Sequence, residues 1–158
     1  MSEAGPEVGD MLPDIAMETP DGGSVKASDF KGQKLVLFFY PKDNTPGCTN
    51  EAKDFSAMKA DFENAGATIL GVSKCSPKKH QNFIAKHDLT VALATDAEEG
   101  GLSDELGIWT EKKNYGRTYM GMVRTTYLVG ADGKIAQIWN KVRVKDHAAA
   151  VLEATQAL

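Results

Sequence analysis

Cys48 is the residue of this sequence that is best placed to act as a nucleophile. It follows an apolar run at 35–40 and the turn-forming residues Pro41 to Thr45. Thr45 is a natural N-cap and Pro46 suits the first helical position, so we expect Cys48 in the first turn of a helix. Free backbone N–H groups and the positive end of the helix dipole favour a thiolate there. The sequence therefore predicts a reactive cysteine that needs no metal and no cofactor.

Hydrophobic patterning predicts the two elements on either side of Cys48. Residues 35–40 are uninterrupted apolar β formers, as is typical of a central strand that is buried on both faces, and Pro41 has no N–H with which to continue its pairing. Apolar residues recur at helical spacing over about 46–64, which predicts one amphipathic helix. These strand-end and helix-start signals argue against the alternative that Cys48 is an inert core residue.

Cys75 is the second of two cysteines in the chain. It follows an apolar strand predicted at 67–73 and precedes Ser76-Pro77, which begins a helix that carries His80 and His87. This succession predicts a β-α-β unit, with both cysteines at the carboxyl edge of a parallel sheet. A metal site built from the cysteines and these histidines is disfavoured because no pair has close ligand spacing. The histidines are interpreted as ordinary helix residues.

The remaining elements are predicted by the same periodicities. They are a short N-terminal hairpin at 15–17 and 24–26, a strand at 91–95, a brief helix near 102–109, a second hairpin at 125–129 and 134–139, and a closing helix at 148–158 with Asp146 as its N-cap. Residues 110–123 are polar and contain glycine, and they are interpreted as a long loop. Patterning alone therefore predicts an α/β layered domain.

Length and composition limit the class of protein. With 158 residues, 42% of them hydrophobic and 25% charged, the chain is expected to form one domain over 1–158. Its net charge of −4 argues against a nucleic-acid surface. A membrane-spanning segment and a signal peptide are not expected, so we predict a cytoplasmic protein that does not contact a membrane. Two cysteines in that compartment favour a catalytic or transient redox role.

Two sequence strings carry a resemblance to a known family. Pro41, Thr45 and Cys48 fit Pro-x-x-x-Thr-x-x-Cys, within the longer string Thr-Pro-Gly-Cys-Thr-Asn-Glu-Ala. Residues 115–129 read Tyr-Gly-Arg-Thr-Tyr-Met-Gly-Met-Val-Arg-Thr-Thr-Tyr-Leu-Val. Both strings resemble the peroxiredoxins, and closely the bacterioferritin-comigratory or Q type. The resemblance implies a thioredoxin-like fold, with a central mixed sheet flanked by helices, and a monomeric thiol peroxidase.

The resemblance also implies roles for individual residues. Cys48 would attack hydrogen peroxide or a small alkyl hydroperoxide and become a sulfenic acid. The Thr45 hydroxyl and the Arg124 guanidinium would donate to the sulfur and the peroxide oxygens. Pro41 would shield the sulfur, and Glu51 would fix the arginine or its loop. On the residues alone, Thr45 is equally well a plain N-cap, Arg124 a surface charge and Glu51 a solvated acid.

Cys75 is the candidate for resolving the oxidised Cys48. Many relatives carry the resolving cysteine five residues after the peroxidatic one, where this chain has Lys53. A Cys48–Cys75 disulfide, reduced by thioredoxin, is therefore expected, while a bystander Cys75 with an external thiol stays open. A thiol-disulfide oxidoreductase is a competing interpretation, weakened because the chain has no Cys-x-x-Cys. The non-enzymatic alternative is a redox-regulated binding or holdase module.

Overall fold

A seven-stranded mixed sheet is the main element of the computed structural model, which describes residues 6–158. In chain order the elements are β1 (Met17–Glu18), β2 (Ser24–Val25), β3 (Lys34–Phe39), α1 (Pro46–Ala57), α2 (Lys59–Asn64), β4 (Ala67–Ser73), α3 (Pro77–His87), β5 (Ala92–Thr95), α4 (Leu102–Glu105), β6 (Trp109–Asn114), β7 (Arg117–Met122), β8 (Thr125–Val129), β9 (Ile135–Trp139) and α5 (His147–Ala157). The strand order is β2-β1-β5-β4-β3-β8-β9, and β6 pairs with β7 in a separate sheet. The predicted α/β, thioredoxin-like class is confirmed.

β3 lies inside the sheet, parallel to β4 and antiparallel to β8. Apolar layers cover both of its faces: Val36 and Phe38 pack into one core, and Leu37 and Phe39 pack into the other. This double burial explains why its sequence is apolar without alternation. The pairing continues one residue beyond β3, because the Tyr40 N–H still donates to the Val72 carbonyl before Pro41 follows.

The helices divide between the two faces of the sheet. The face that contains Phe38 is covered by apolar residues of α1, α2, α3 and α5, namely Ala52, Phe55, Phe62, Phe83, Ala148 and Val151. The opposite face is covered by α4 and by residues from the N-terminal segment, with Leu12, Met17, Leu102 and Leu106 buried there. Strand β3 is therefore held rigidly at the end that leads into α1, the helix that carries Cys48.

The prediction of a single helix over about 46–64 is wrong in one respect, because the structure has two helices that meet at Met58. The Met58 N–H is shared among the carbonyls of Asp54, Phe55 and Ser56, which tightens the turn there. The bend brings the Phe62 ring within 5.8 Å of the Phe55 ring, centroid to centroid. Periodicity alone did not reveal this bend because the apolar face continues across it.

The long loop predicted at 110–123 is also wrong, because β6 and β7 form a regular antiparallel hairpin there. Tyr115 and Gly116 at its tip have positive φ angles of 52° and 75°, as expected in a tight two-residue turn. The residues from Arg117 to Met120 are exposed, and they include the large side chains of Tyr119 and Met120. The hairpin leads towards β8, and β8 begins immediately after Arg124.

Both other hairpins and the closing helix match their predictions to within a few residues. The N-terminal hairpin lies at a sheet edge, as expected. Asp146 occupies the position before α5, but its φ of 62° is left-handed and its side chain makes no capping hydrogen bond within residues 6–158, so it is not the N-cap that the sequence predicted. None of the helices in that same range combines the length and apolar character needed to cross a bilayer.

Candidate active site

Cys48 is the third residue of α1 and only 1% exposed. Thr45 precedes the helix with extended backbone angles, and Pro46 is its first residue, as predicted. The turn between β3 and α1 thus places the sulfur at the start of a helix, where backbone N–H groups have no helical acceptors. The Thr49 N–H makes the first helical bond, to the Thr45 carbonyl at 2.8 Å.

Arg124 connects the sulfur to an acid on the same helix. Its Nη2 donates to Cys48 Sγ at 3.3 Å, and its Nη1 donates to Glu51 Oε1 at 2.6 Å. The side chain is 17% exposed, so it is not the surface charge that the sequence allowed. Burial of the guanidinium opposes its charge, but Glu51 and Cys48 outweigh this effect and raise the pKa of Arg124. The guanidinium is therefore a fixed cation that faces both groups.

Gly47 allows this close approach of the guanidinium. A Cβ atom added to Gly47 would lie 3.2 Å from Arg124 Nη2, which is tighter than ordinary van der Waals contact. The residue beside a nucleophile is therefore small because the guanidinium crosses over it. Sequence reasoning did not single out Gly47, although the Pro-Gly-Cys order was visible.

Glu51 is buried, at 1% exposure, which rules out the solvated acid that the sequence left open. Its Oε1 accepts from Arg124, whereas its Oε2 has no hydrogen-bond partner among the described residues. Burial raises the pKa of Glu51 to about 7, with the charge of Arg124 opposing the rise. The carboxyl group is therefore costly to ionise and depends on the arginine to do so.

Glu51→Gln tests this burial through the pH dependence of stability. The folded-state pKa of Glu51 lies above its ordinary value of 4.5, so its favourable contribution to folding is lost as pH rises from there towards about 7. Glutamine does not titrate and should lack this loss. The unfolding free energy of the variant relative to wild type is therefore expected to rise by up to about 3 kcal/mol across that range.

Urea unfolding at about pH 4.5 and at about pH 7.5 measures the effect. Only the change between the two pH values matters, because removal of the acid also leaves Arg124 without its anion at every pH. Glu63→Gln, at an exposed position of α2, is the matched control and should give no such change. Parallel stability curves for Glu51→Gln and wild type would refute the raised pKa.

The sequence predicted the Thr45 hydroxyl either as the cap of α1 or as a donor to the sulfur and the substrate, and among residues 6–158 it neither caps α1 nor donates to the sulfur. Its Oγ1 donates to the Lys42 carbonyl at 2.9 Å, within the turn, and so its proton is already committed. The hydroxyl oxygen keeps lone pairs that can accept a hydrogen bond. Pro41 is exposed at the end of β3, at the beginning of the same turn.

His147, at the start of α5, is a further titratable group that the charge of Arg124 affects. Its Nε2 and the Thr126 hydroxyl lie 2.8 Å apart in a buried contact. Burial, followed by the charge of Arg124, lowers the pKa of His147 to about 4. His147 is therefore neutral near pH 7, and it adds no second positive charge to this side of the site.

Cys75 lies two residues beyond β4, at the sheet edge where β3 also ends, as predicted. Its side chain is half-buried, and Cys48 and Cys75 are both free thiols in this structure. The Asp43 N–H donates to Cys75 Sγ at 3.3 Å. The turn that leads into α1 is therefore hydrogen-bonded to the second sulfur.

Asp43 also anchors a buried polar cluster that sequence reasoning missed. Its carboxylate oxygens contact the Tyr40 hydroxyl and His80 Nδ1, each at 2.6 Å, and His80 Nε2 lies 2.9 Å from the Ala94 carbonyl. A carbonyl only accepts, so Nε2 must carry a hydrogen. Burial, followed by the Asp43 charge, raises the pKa of Tyr40 well above its usual value, so its hydroxyl remains a donor.

His80 is therefore not the ordinary helix residue that the sequence suggested, because it is wholly buried and ties α3 to the turn before α1. The available signal was the spacing of His80 with Phe83 on the inner face of a capped helix. Its partner Asp43 is 37 positions away, which periodicity does not reveal. Within residues 6–158, no group of three or more His, Cys, Asp or Glu side chains is arranged to hold a metal ion.

A buried cysteine at a helix start that faces an arginine–glutamate pair, on a sheet of this order, defines a thiol-dependent redox protein of the thioredoxin-like class. The family model of the AhpC/TSA family matches residues 8–138. The chain is 44% identical over 147 residues to peroxiredoxin Bcp of Bacillus subtilis, and the match covers 93% of each chain.

Solved structures agree with this comparison. Xanthomonas campestris peroxiredoxin Q superposes with a TM-score of 0.87 at 40% identity, over 99% of this chain and 98% of that one. The bacterioferritin comigratory protein of the same organism, studied for its alkyl peroxide reduction activity, gives a TM-score of 0.85 at 38% identity, over 94% and 98%. The chain belongs to the AhpC/TSA family. Its relatives are peroxiredoxins of the Bcp or Q type, and it is a thiol-dependent peroxidase.

Proposed function

We propose that this peroxidase reduces hydrogen peroxide and small alkyl hydroperoxides through Cys48, and that Cys75 and thioredoxin complete its cycle. The observation that carries the proposal is the single guanidinium of Arg124, bonded at once to Cys48 Sγ and to buried Glu51. A cation held in this way stabilises a thiolate before reaction and the leaving oxygen during it. The alkyl peroxide reduction of the Xanthomonas campestris relative supports the substrate class.

The first step is a displacement at oxygen. The Cys48 thiolate attacks the terminal oxygen of ROOH, an S–O bond forms as the O–O bond breaks, and the departing RO⁻ takes a proton to give ROH. Arg124 Nη2 donates towards the sulfur and the oxygens, and the free lone pairs of Thr45 Oγ1 accept from the peroxide hydroxyl. Pro41 limits access of water to the turn. Glu51 fixes the orientation of the arginine and does not contact the peroxide.

The second step joins the two cysteines. The thiolate of Cys75 attacks the sulfur of the Cys48 sulfenic acid, the S–O bond breaks and the oxygen leaves as water after protonation. The Asp43 N–H bond to Cys75 Sγ keeps the second sulfur against the turn that leads into α1. Few backbone bonds hold the first turn of α1, so its local opening is the motion that brings the sulfurs within disulfide range.

Cys75→Ser is expected to separate these steps. The first turnover with peroxide should proceed at the wild-type rate, because Cys75 does not take part in it. Thioredoxin-dependent cycling should then stop, with Cys48 left as a sulfenic or sulfinic acid. Mass spectrometry of wild-type protein after one equivalent of peroxide should find a Cys48–Cys75 peptide link within a monomer. Normal cycling by the variant would remove Cys75 from the mechanism and favour an external thiol.

Peroxide consumption with and without a thioredoxin system tests the whole proposal. We expect turnover of hydrogen peroxide and of tert-butyl hydroperoxide that requires thioredoxin, thioredoxin reductase and NADPH together. Disulfide exchange with thioredoxin in the absence of peroxide turnover would instead favour a thiol-disulfide oxidoreductase. The proposed setting is the cytoplasm, where thioredoxin is kept reduced, and the proposed working form is a monomer.

A further inference from the structure

Besides Arg124, a second cationic side chain is bonded to the segment that leads to the active site, and it lies on the hairpin that the sequence did not predict. Lys112 is on β6, paired across the hairpin with Tyr119, and its Nζ donates to the carbonyl of Met122. Met122 is fully buried and stands two residues before Arg124. The ammonium group is thus bonded to the backbone segment that carries the guanidinium of the active site.

The Lys112 side chain occupies space that is open because residue 121 is a glycine. A Cβ atom added to Gly121 would lie 2.9 Å from Lys112 Cδ and 3.2 Å from its Cε. The lysine stem therefore lies across Gly121, in the space that any other residue would fill. A solvated surface lysine has no such constraint. Lys113, the next residue, is exposed and paired with Thr118.

The charges around Lys112 agree with this position. Burial, followed by the positive charge of Arg124, lowers the pKa of Lys112, and the charge of Cys48 opposes that change. Lys112 therefore interacts electrostatically with both Arg124 and Cys48. Neutral His147 does not contribute a competing charge.

We propose that Lys112, held by the Met122 carbonyl and the gap at Gly121, is a second cation of the active site that favours the approach of negatively charged reactants to Cys48. This inference rests on the proposed role of Cys48 as the nucleophile. Arg124 would act on the reacting atoms, whereas Lys112 would act through the electrostatic field around Cys48. Peroxides that bear an anionic group are the substrates that such a field would favour over neutral ones.

Competing alkylation of Cys48 tests this without any peroxidase assay. In the Cys75→Ser background, where Cys48 is the one thiol, the rate with anionic iodoacetate is divided by the rate with neutral iodoacetamide. Both reagents require the same exposure of the buried sulfur, so the ratio cancels any effect on opening. Lys112→Met, which keeps an apolar stem, should lower the ratio by roughly three- to tenfold.

Two further variants make the result specific. Lys113→Met removes the neighbouring charge and should leave the ratio unchanged. Gly121→Ala keeps the Lys112 charge but displaces its stem, and should lower the ratio in the same direction as Lys112→Met. An unchanged ratio in Lys112→Met, or an equal fall in Lys113→Met, would overturn the proposal, while peroxide turnover measured separately reports on the proposed function itself.

Discussion

Cys48→Ser is expected to lower the second-order rate constant for peroxide reduction by about 10³-fold or more, with the fold retained. Serine has nearly the same size, and the position is 1% exposed, so no cavity forms. Its hydroxyl does not ionise near neutral pH, and so Arg124 faces a neutral oxygen with little nucleophilicity. Competitive or stopped-flow kinetics with hydrogen peroxide measures the loss, and unfolding curves check the fold.

The matched control for this variant is Cys75→Ser, which also replaces one cysteine at the same sheet edge. It should keep the first-turnover rate that Cys48→Ser loses. If Cys48→Ser retained more than a few per cent of the wild-type rate, another residue would have to be the nucleophile, and the role assigned to Arg124 would fail with it.

Arg124→Lys is expected to reduce the rate constant by about 10²- to 10³-fold although the charge is retained. The guanidinium makes two directed contacts, to Cys48 Sγ at 3.3 Å and to Glu51 Oε1 at 2.6 Å. A lysine ammonium is a compact charge that cannot reproduce this planar fork. If it turns towards the sulfur, Glu51 loses its partner in a buried site. If it turns towards Glu51, the sulfur loses its donor.

Arg143→Lys is the control for this substitution, because Arg143 is exposed in the segment between β9 and α5. It should have the wild-type rate constant and stability. Arg124→Lys should also be less stable to urea than wild type, since either arrangement weakens a buried contact. A wild-type rate constant in Arg124→Lys would mean that charge alone is sufficient and that the fork geometry has no function.

Local sequence signals were enough to place Cys48. An unbroken apolar strand, a proline that ends it and a Thr-Pro helix start are contained in about fifteen residues, and each acts on its immediate neighbours. The position of Cys75 followed for the same reason, because neighbouring parallel strands end at one edge. In both cases the chemistry depends on short-range backbone geometry, which patterning reports well.

The missed features depend on contacts between distant parts of the chain. On the residues alone, Glu51 was equally well a solvated acid, because its partner Arg124 is 73 residues away, and only the family resemblance implied that it fixes the arginine or its loop. Asp43 and His80 are likewise paired only in the folded chain. The β6–β7 hairpin was missed because β6 is largely polar and β7 exposes Tyr119 and Met120, so that neither the alternation nor the apolar run typical of a strand was present.

The most direct test of Cys48 as the nucleophile is its chemical fate after one equivalent of hydrogen peroxide. Reduced Cys75→Ser protein is treated without reductant, trapped with dimedone and digested for mass spectrometry. We expect one dimedone adduct, on the peptide that contains Cys48, in an amount that matches the peroxide consumed. Peroxide consumption with no adduct on Cys48, or with oxidation at methionine instead, would contradict that role.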